Sequence, residues 1–402
     1  MKHEHKTVLR LQQILTIAEL AVARLISFFY AKNEPIWLIA DRGYDSGDNG
    51  YRFFLYMKKH HPEIRTYFIL SKQAPEWRHL AEYGDSLLDF RSMKHYVYLW
   101  LASHLISSHV QGYAPYRGLG LKMKALHPAY RKKMHIFIQH GVSKDYTPYL
   151  EYNYTHQDLT LCSVRPEYTF FIERYGYPKE RVELTGMCRY DHLVDQSQDR
   201  RQILLAPTWR EYIYKNHGFE QTDYYKTYAS LLQSERLQAI LEKYDWRLVF
   251  HPHHQIQRYL RAFLSLPVCN RIHIAAETEF DLSDHFCQSN IMITDYSSVS
   301  FDFAYMQKPV LYYQFDRAQF QSEHYEPGWL DYDHSLGTVC KTEQQLLYEL
   351  EQLILNGLQV QSAYRDYALA LYPYHDQENC ERNYQAIIRH DKMRIKTIKK
   401  QK

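Results

Sequence analysis

Several features that would classify this chain at a glance are missing from it. Its 402 residues include only six cysteines, Cys162, Cys188, Cys269, Cys287, Cys340 and Cys380, with no C-x-x-C pair and no short-spaced framework. That excludes a disulfide scaffold and points to reduced thiols in a cytosolic protein. An excess of one charge is also absent. The 49 Lys plus Arg nearly balance the 46 Asp plus Glu, which argues against a general polyanion binder, so no nucleic-acid partner is expected. The most apolar stretch, Val8 to Tyr30, is interrupted by Arg10, Glu19 and Arg24 and has no small-residue cleavage site. It therefore reads neither as a bilayer-spanning helix nor as a signal peptide. Neither the Walker pattern nor the dinucleotide glycine fingerprint occurs, which excludes a standard ATP or NAD site, and no cofactor is expected.

What is present is a chain too long for one compact core, with 45% hydrophobic content, so two domains are expected. Val8–Tyr30 reads as an amphipathic helix of unusual kind: its apolar face is wide, and Gln12, Thr16, Glu19, Ala23 and Ser27 form one narrow, weakly polar strip. Such a helix either packs onto its own domain or lies in a membrane interface. The C-terminal segment sets Arg389, Lys392, Arg394, Lys396, Lys399, Lys400 and Lys402 against the single Asp391. It is either a solvated tail or a segment drawn to an anionic membrane face, at about 1 kcal/mol per basic residue.

Between these ends, short apolar runs alternate with longer amphipathic ones, the pattern of α/β units with parallel sheets. Strands are expected at Ile36–Ala40, Thr66–Leu70, Leu105–His109, His135–Gln139, Leu159–Val164 and Val182–Thr185, with helices at Asn49–His60, Pro75–Tyr83, Met93–Ala102 and Pro166–Tyr175. A polar stretch, Val194–Arg201, reads as a linker. The pattern restarts with strands at Ile203–Ala206, Arg247–Phe250, Arg271–Ala275, Ile291–Thr294 and Val310–Tyr313 and helices at Asp223–Lys243, Gln255–Leu264, Glu343–Leu355 and Ala363–Leu371. The expected organisation is thus a helix over residues 1–30, one α/β domain over 31–195, a second over 196–385, a basic tail over 386–402, and a cleft between the two domains. In open α/β sheets ligands bind beyond the carboxyl ends of the strands, so the polar residues that follow each strand are the place to look for chemistry.

Four clusters stand there. In Gln139-His140-Gly141-Val142-Ser143-Lys144, His140 is either a general base or an imidazole bonded to backbone. In Ala206-Pro207-Thr208-Trp209-Arg210, Arg210 offers a planar fork suited to phosphate oxygens. Phe250-His251-Pro252-His253-His254 has three histidines but no carboxylate or cysteine at ligand spacing, so an imidazolium facing phosphate is preferred to a metal, and no metal site is expected. The fourth is Ile291 to Phe303, where Asp295, Ser297 and Ser298 join a strand to a helix. Those serines either only cap the helix or cradle a phosphate there; Asp302 reads as a helix-surface charge.

Together and in this order, the four clusters resemble those of the CDP-glycerol glycerophosphotransferases, the teichoic acid primases and polymerases. The resemblance runs over about residues 130 to 350 and includes Gly186-Met187-Cys188-Arg189-Tyr190-Asp191 and the Lys308-Pro309 turn. It implies a GT-B type fold of two Rossmann-like domains, the first for the acceptor and the second for the nucleotide donor. By the same resemblance His140 and His253 match essential histidines, Arg210 matches a phosphate-contacting arginine, Ser297 and Ser298 match diphosphate-binding serines, and Thr208, His251 and Asp295 belong to the same donor-binding segments. His251 stands where the family usually has Arg, His254 and Cys188 replace prolines, and Gly141-Val142-Ser143-Lys144-Asp145 replaces a Gly-Thr-Pro-Leu-Lys run. The implied partners are a CDP-glycerol or CDP-ribitol donor, a lipid-linked or glycan acceptor of cell wall or capsule, and the inner face of the cell membrane. Two alternatives remain open: a glycosyltransferase of the same fold using a UDP- or CMP-sugar, and a non-catalytic nucleotide-binding subunit.

Overall fold

The structure is a computed structural model and describes residues 2–30, 34–116, 118–215, 218–276 and 282–400; side chains are described from residue 12 to 394, apart from 214 and 215 as well. The chain forms two compact units, one of residues 1–140, 148–191 and 376–402, the other of 141–147 and 192–375. The linear order of the sequence does not show these crossings. Lys402 and the side chains of Lys396, Lys399 and Lys400 lie outside the described residues.

The first unit is built on β1 (Ile36–Ala40), β2 (Arg65–Leu70), β3 (Leu87–Asp89), β4 (His104–Ser107), β5 (Met134–Phe137), β6 (Leu159–Cys162) and β7 (Val182–Leu184). They form one parallel sheet in the order β3-β2-β1-β4-β5-β6-β7. All five residues of β1 are buried, as a parallel strand covered on both faces requires. Its side chains alternate: Trp37 and Ile39 join a core with Phe53, Phe54, Ala386 and Ile387, while Ile36, Leu38 and Ala40 join Leu20, Ala23, Tyr96 and Leu99. Helices α1 (Lys2–Ser27) and α3 (Met93–Leu101) supply the second face, and α2 (Asn49–His60) and the helix Asn379–Lys400 supply the first.

Helix α1 is turned inside out. Thr16, Leu20, Ala23 and Ser27 are buried, and the Trp100 indole donates to the Leu20 carbonyl at 2.8 Å. Three residues of the weakly polar strip, Thr16, Ala23 and Ser27, thus face the protein while Gln12 and Glu19 are exposed, and the wide apolar face is left outside: Ile14, Leu15, Ile17, Val22, Leu25 and Phe28 are exposed, and Phe29 is 90% exposed. The basic C-terminal segment is no frayed tail as far as Arg394. It continues a helix whose Ala386 and Ile387 are buried in the core, Arg389 pairs with Glu183 at 2.5 Å, and Arg394 donates to the Lys132 carbonyl.

The second unit carries β8 (Gln202–Leu205), β9 (Arg247–Phe250), β10 (Ile272–Ile274), β11 (Ile291–Thr294), β12 (Val310–Tyr313) and β13 (Thr338–Cys340). They form a parallel sheet in the order β10-β9-β8-β11-β12-β13. The Val194–Arg201 stretch belongs to this unit and is fastened to it. Asp195 pairs with Lys308 at 2.6 Å, and the buried Lys308 ammonium also donates to the carbonyls of Phe286, Cys287 and Ser289, each at 3.0 Å.

Differences from the expected elements have local causes. β3 and β13 are three-residue edge strands, too short to show a period. The expected helix at Pro75–Tyr83 is two 3-10 turns, Pro75–Trp77 and Ala81–Ser86, the second kinked at Gly84 with φ +48°. Gln255–Leu264 divides likewise into Gln257–Tyr259 and Leu260–Leu264. Asp223–Lys243 is two helices, Asp223–Gln233 and Glu235–Lys243, because Ser234 takes extended backbone angles and its hydroxyl accepts the Leu237 N–H. Ser234→Ala is expected to cost about 1 kcal/mol of stability, measured by urea unfolding; an unchanged midpoint would show that the break does not depend on the cap.

Candidate functional site

Each sheet has one point where successive connections leave in opposite directions, between β1 and β4 in the first and between β8 and β11 in the second. These are the places where α/β sheets open a crevice for ligands, and the sequence clusters sit at or beside them.

In the first unit His140 follows β5. Gln139, the residue before it, has a left-handed backbone (φ 56°) and is fully buried. Its side-chain amide donates to the Leu161 carbonyl at 3.0 Å, and its own carbonyl accepts from the Asn49 amide at 2.7 Å. A non-glycine residue held left-handed costs on the order of 1–2 kcal/mol and persists only where its surroundings over-determine it. This kink aims His140 away from the strand. The His140 carbonyl accepts from Arg189 Nη1 at 2.6 Å, Arg189 also pairs with Asp48 at 2.9 Å, and the Arg189 N–H donates to Asn49 Oδ1 at 3.0 Å. The His140 ring stacks on His109 with centroids 4.3 Å apart, and one ring nitrogen hydrogen-bonds to the Ser108 main chain.

The His140 pKa is lowered to about 4, by the surrounding protein first and then by the charges of Arg189 and Arg42, against the hydrogen bond to Ser108. Because the residue is exposed to solvent, the two arginines are the part of this shift that the geometry supports best. Either way the imidazole is neutral at pH 7 and holds a free lone pair.

In the second unit Gly141, the residue after His140, lies against Ser298: a Cβ at 141 would fall 2.7 Å from the Ser298 hydroxyl. Ser297 and Ser298 are half-buried at the end of β11. The helix they precede, Ser300–Tyr305, has only six residues, and Ser297 Oγ is 3.5 Å from the Val299 N–H. Hydroxyls, more than a helix dipole, are therefore what this turn offers. His253 is half-buried, its Nδ1 accepting from the Gln255 N–H at 3.2 Å, and its ring faces Trp209 with centroids 6.4 Å apart. His251 turns elsewhere and is buried against His285. Among the described residues no group of three or more His, Cys, Asp or Glu is disposed to hold a metal.

Arg210 and Asp295 are placed differently from what a direct phosphate contact needs. Arg210 is 0% exposed. Its Nε and Nη2 donate to the two Asp316 oxygens at 2.8 and 3.1 Å, and Nη1 donates to the Thr208 carbonyl at 2.9 Å and lies 3.0 Å from Asp295 Oδ2. Tyr224, Tyr296, Phe315 and Phe320 ring the guanidinium. Asp295, also fully buried, accepts the N–H groups of Thr208 and Tyr296 and the Tyr228 hydroxyl. Burial opposes the charged forms, but the pairing outweighs it. The two aspartates hold the Arg210 pKa well above its ordinary value, and Arg210 with the Tyr212 and Tyr296 hydroxyls holds Asp316 below its own. One guanidinium is thus shared between two carboxylates and is tied to the loop of Thr208 through the carbonyl of that residue. Asp302 departs from its expectation too: it is fully buried, not a helix-surface charge.

The sequence reading missed Asp41, Ser108, His109 and Asp316. A signal existed for all of them, since each follows a strand. Ser108 and His109 were hidden because the apolar run Leu105–His109 was taken whole as strand, whereas β4 ends at Ser107.

Arg210→Met would leave Asp295 and Asp316 buried without their counter-charge, and a loss of about 3–5 kcal/mol is expected in denaturant unfolding. A loss below 1 kcal/mol with weakened donor binding would return Arg210 to the role of phosphate ligand.

Comparison with known proteins bears on the family and the fold. The family model of CDP-glycerol:poly(glycerophosphate) glycerophosphotransferase matches residues 21–389. The minor teichoic acid biosynthesis protein GgaB of Bacillus subtilis (strain 168) is 28% identical over 397 residues, covering 94% of this chain and 43% of that protein. A teichoic acid poly(glycerol phosphate) polymerase of Bacillus spizizenii is 29% identical over 191 residues, 44% of this chain and 43% of that one. The chain spans less than half the length of these curated relatives. Among solved structures, the wall teichoic acid polymerase TagF superposes with a TM-score of 0.67 at 16% identity over 98% of both chains, and a UDP-N-acetylglucosamine 2-epimerase from Listeria monocytogenes with 0.57 at 16% over 90% of this chain and 97% of that one. Both likenesses show the fold, which is of the GT-B type. With the family model covering most of its length, the chain belongs to the CDP-glycerol:poly(glycerophosphate) glycerophosphotransferase family.

Proposed function

We propose that this protein transfers a polyol phosphate, most consistently glycerol phosphate from CDP-glycerol, to a hydroxyl of a wall or capsule glycan or a lipid-linked acceptor, releasing CMP. The observation that carries the reading is His140: a neutral imidazole aimed by the Gln139 kink, one residue from the Gly141 that lies against Ser298. In the reaction the acceptor oxygen attacks the β-phosphorus and forms the new P–O bond. The bond from that phosphorus to the oxygen bridging it to the α-phosphorus breaks, CMP leaves with the electron pair, and the acceptor proton passes to His140. His253, the Ser297 and Ser298 hydroxyls and Thr208 hold the charge on the diphosphate, the electrostatic role that usually contributes most. Arg210, Asp295 and Asp316 act through these groups by fixing the loops that carry them, and the buried His251 supports the turn of His253.

The acid limb of the pH profile tests the base. A lowered pKa means that His140 loses its proton at a lower pH than an ordinary histidine, so the active form persists further into acid. The kcat/KM measured as CMP release should hold to about pH 5 and fall through about pH 4, and His140→Ala should lower turnover by about a hundred- to ten-thousandfold with its fold intact. An acid limb at about pH 6.5 or above, or full turnover in His140→Ala, would refute the assignment; UDP release without CMP from UDP-sugars would assign a glycosyltransferase instead.

The exposed face of α1 supports a peripheral position on the inner face of the membrane. Among the described residues no helix is long and apolar enough to cross a membrane. Ile14, Leu15, Val22, Leu25, Phe28 and Phe29 form an apolar surface ending in aromatic side chains, the composition of an interfacial helix. Replacing Leu15, Leu25 and Phe29 together by Ser should abolish co-sedimentation with phosphatidylglycerol vesicles without lowering the melting temperature. Undiminished vesicle binding would place the anchor elsewhere, and a change of oligomeric state would assign the face to self-association.

A further inference from the structure

The polar residues that follow β1 and β4 take no part in the chemistry above, yet they converge on His140. Ser108 is fully buried and fixed from both sides: its hydroxyl donates to Asp41 Oδ1 at 2.8 Å and its N–H to the Ala40 carbonyl at 3.2 Å. Its main-chain carbonyl accepts the hydrogen bond from the His140 ring. Asp41, buried as well, is held in turn by the N–H groups of Gly50 at 2.8 Å, Asp48 at 3.2 Å and Tyr51 at 3.3 Å, at the start of α2. The approach is close enough that a Cβ on Gly112 would fall 1.8 Å from the Asp41 carbonyl oxygen. His109 closes the set. Its ring lies over that of His140 with 20° between the planes, and its Nδ1 is 3.2 Å from the Ser108 hydroxyl.

We infer that Asp41, Ser108 and His109 are positioning residues for His140: Asp41 pins Ser108, the Ser108 carbonyl holds one ring N–H of His140, and His109 covers the ring face. A neutral imidazole has two tautomers, and only one leaves the outward nitrogen bare. A single hydrogen bond of ordinary strength selects between them by about tenfold, and the stacked ring opposes the rotation that would exchange the nitrogens. Asp41 therefore governs the proton acceptor without touching it. Arg42 and Arg189 supply the charge around the ring; Asp41 and Ser108 supply its direction.

The inference rests on His140 being the base, and the experiment separates the two. In protein labelled with 15N-histidine, the His140 ring signals, assigned by their loss in His140→Gln, should report one tautomer in the unsubstituted chain and a mixture in Ser108→Ala. With CDP-glycerol and a membrane extract as acceptor, Ser108→Ala, which unpins the carbonyl without removing it, should lose up to about tenfold in kcat, the limit set by one hydrogen bond's tautomer preference, with the donor KM changed by less than about twofold. Ser108→Thr, which keeps the hydroxyl, should recover both tautomer and kcat. Because Asp41 also caps α2, Ser108→Ala is the deciding variant: it keeps the main-chain carbonyl that faces His140, removes the hydroxyl bond by which Asp41 pins that residue, and leaves the helix cap in place. A folded Ser108→Ala protein with one tautomer and unchanged kcat overturns the inference while leaving the base assignment standing, provided His140→Gln is inactive. Full turnover in His140→Gln overturns the base assignment itself.

Discussion

A buried carboxylate at the point where the sheet's connections diverge is the constraint on which each unit's functional edge depends. In the first unit Asp41 takes hydrogen bonds from Ser108 and from the first turn of α2. In the second Asp295 takes them from Thr208, Tyr296 and Tyr228. Parallel strands end in free backbone groups that no neighbour in the sheet satisfies, and the two oxygens of an aspartate side chain can gather the donors of two loops at once. The electrostatics of the two sites differ. Asp295 has the Arg210 guanidinium beside it, whereas Asp41 has Asp48 nearby, and burial followed by that like charge pushes its carboxyl up to about 8 against the hydrogen bond from Ser108.

That difference bears on what each edge is suited for. Around Arg210 the charges are paired and enclosed by aromatic rings, a frame that is costly to disturb and has little to offer a ligand. The other strand-end groups of this unit are hydroxyls and an imidazole: Thr208, Ser297, Ser298 and His253. Around His140 the cationic Arg42 and Arg189 keep the imidazole unprotonated, and the strained Gln139 backbone directs it. Backbone strain at Gln139 and a neutral imidazole at His140 thus stand on adjacent residues.

Helix α1 shows the same economy of surfaces in reverse. Burying its narrow strip satisfies the domain through Leu20, Ala23 and the Trp100 hydrogen bond, while the larger apolar area stays outside. An exposed apolar surface of this kind is disfavoured in water and calls for a cover.

The sequence by itself determined the α/β class, most strands of both sheets, the limits of α2, and the position of four of the strand-end clusters, because period-two burial, apolar runs and capping residues are local properties. It also determined that α1 has two unlike faces. Only the tertiary structure decided which of those faces is covered, since both a weakly polar strip and an apolar one can be buried. It likewise decided that Arg210 and Asp302 are interior residues: a charged side chain reads as exposed until the partners that make its burial tolerable, here Asp316 and Asp295 around Arg210, arrive from other strands. The convergence of Asp41, Ser108 and His109 on His140 is of the same kind, because strand order, not sequence order, makes β1, β4 and β5 neighbours.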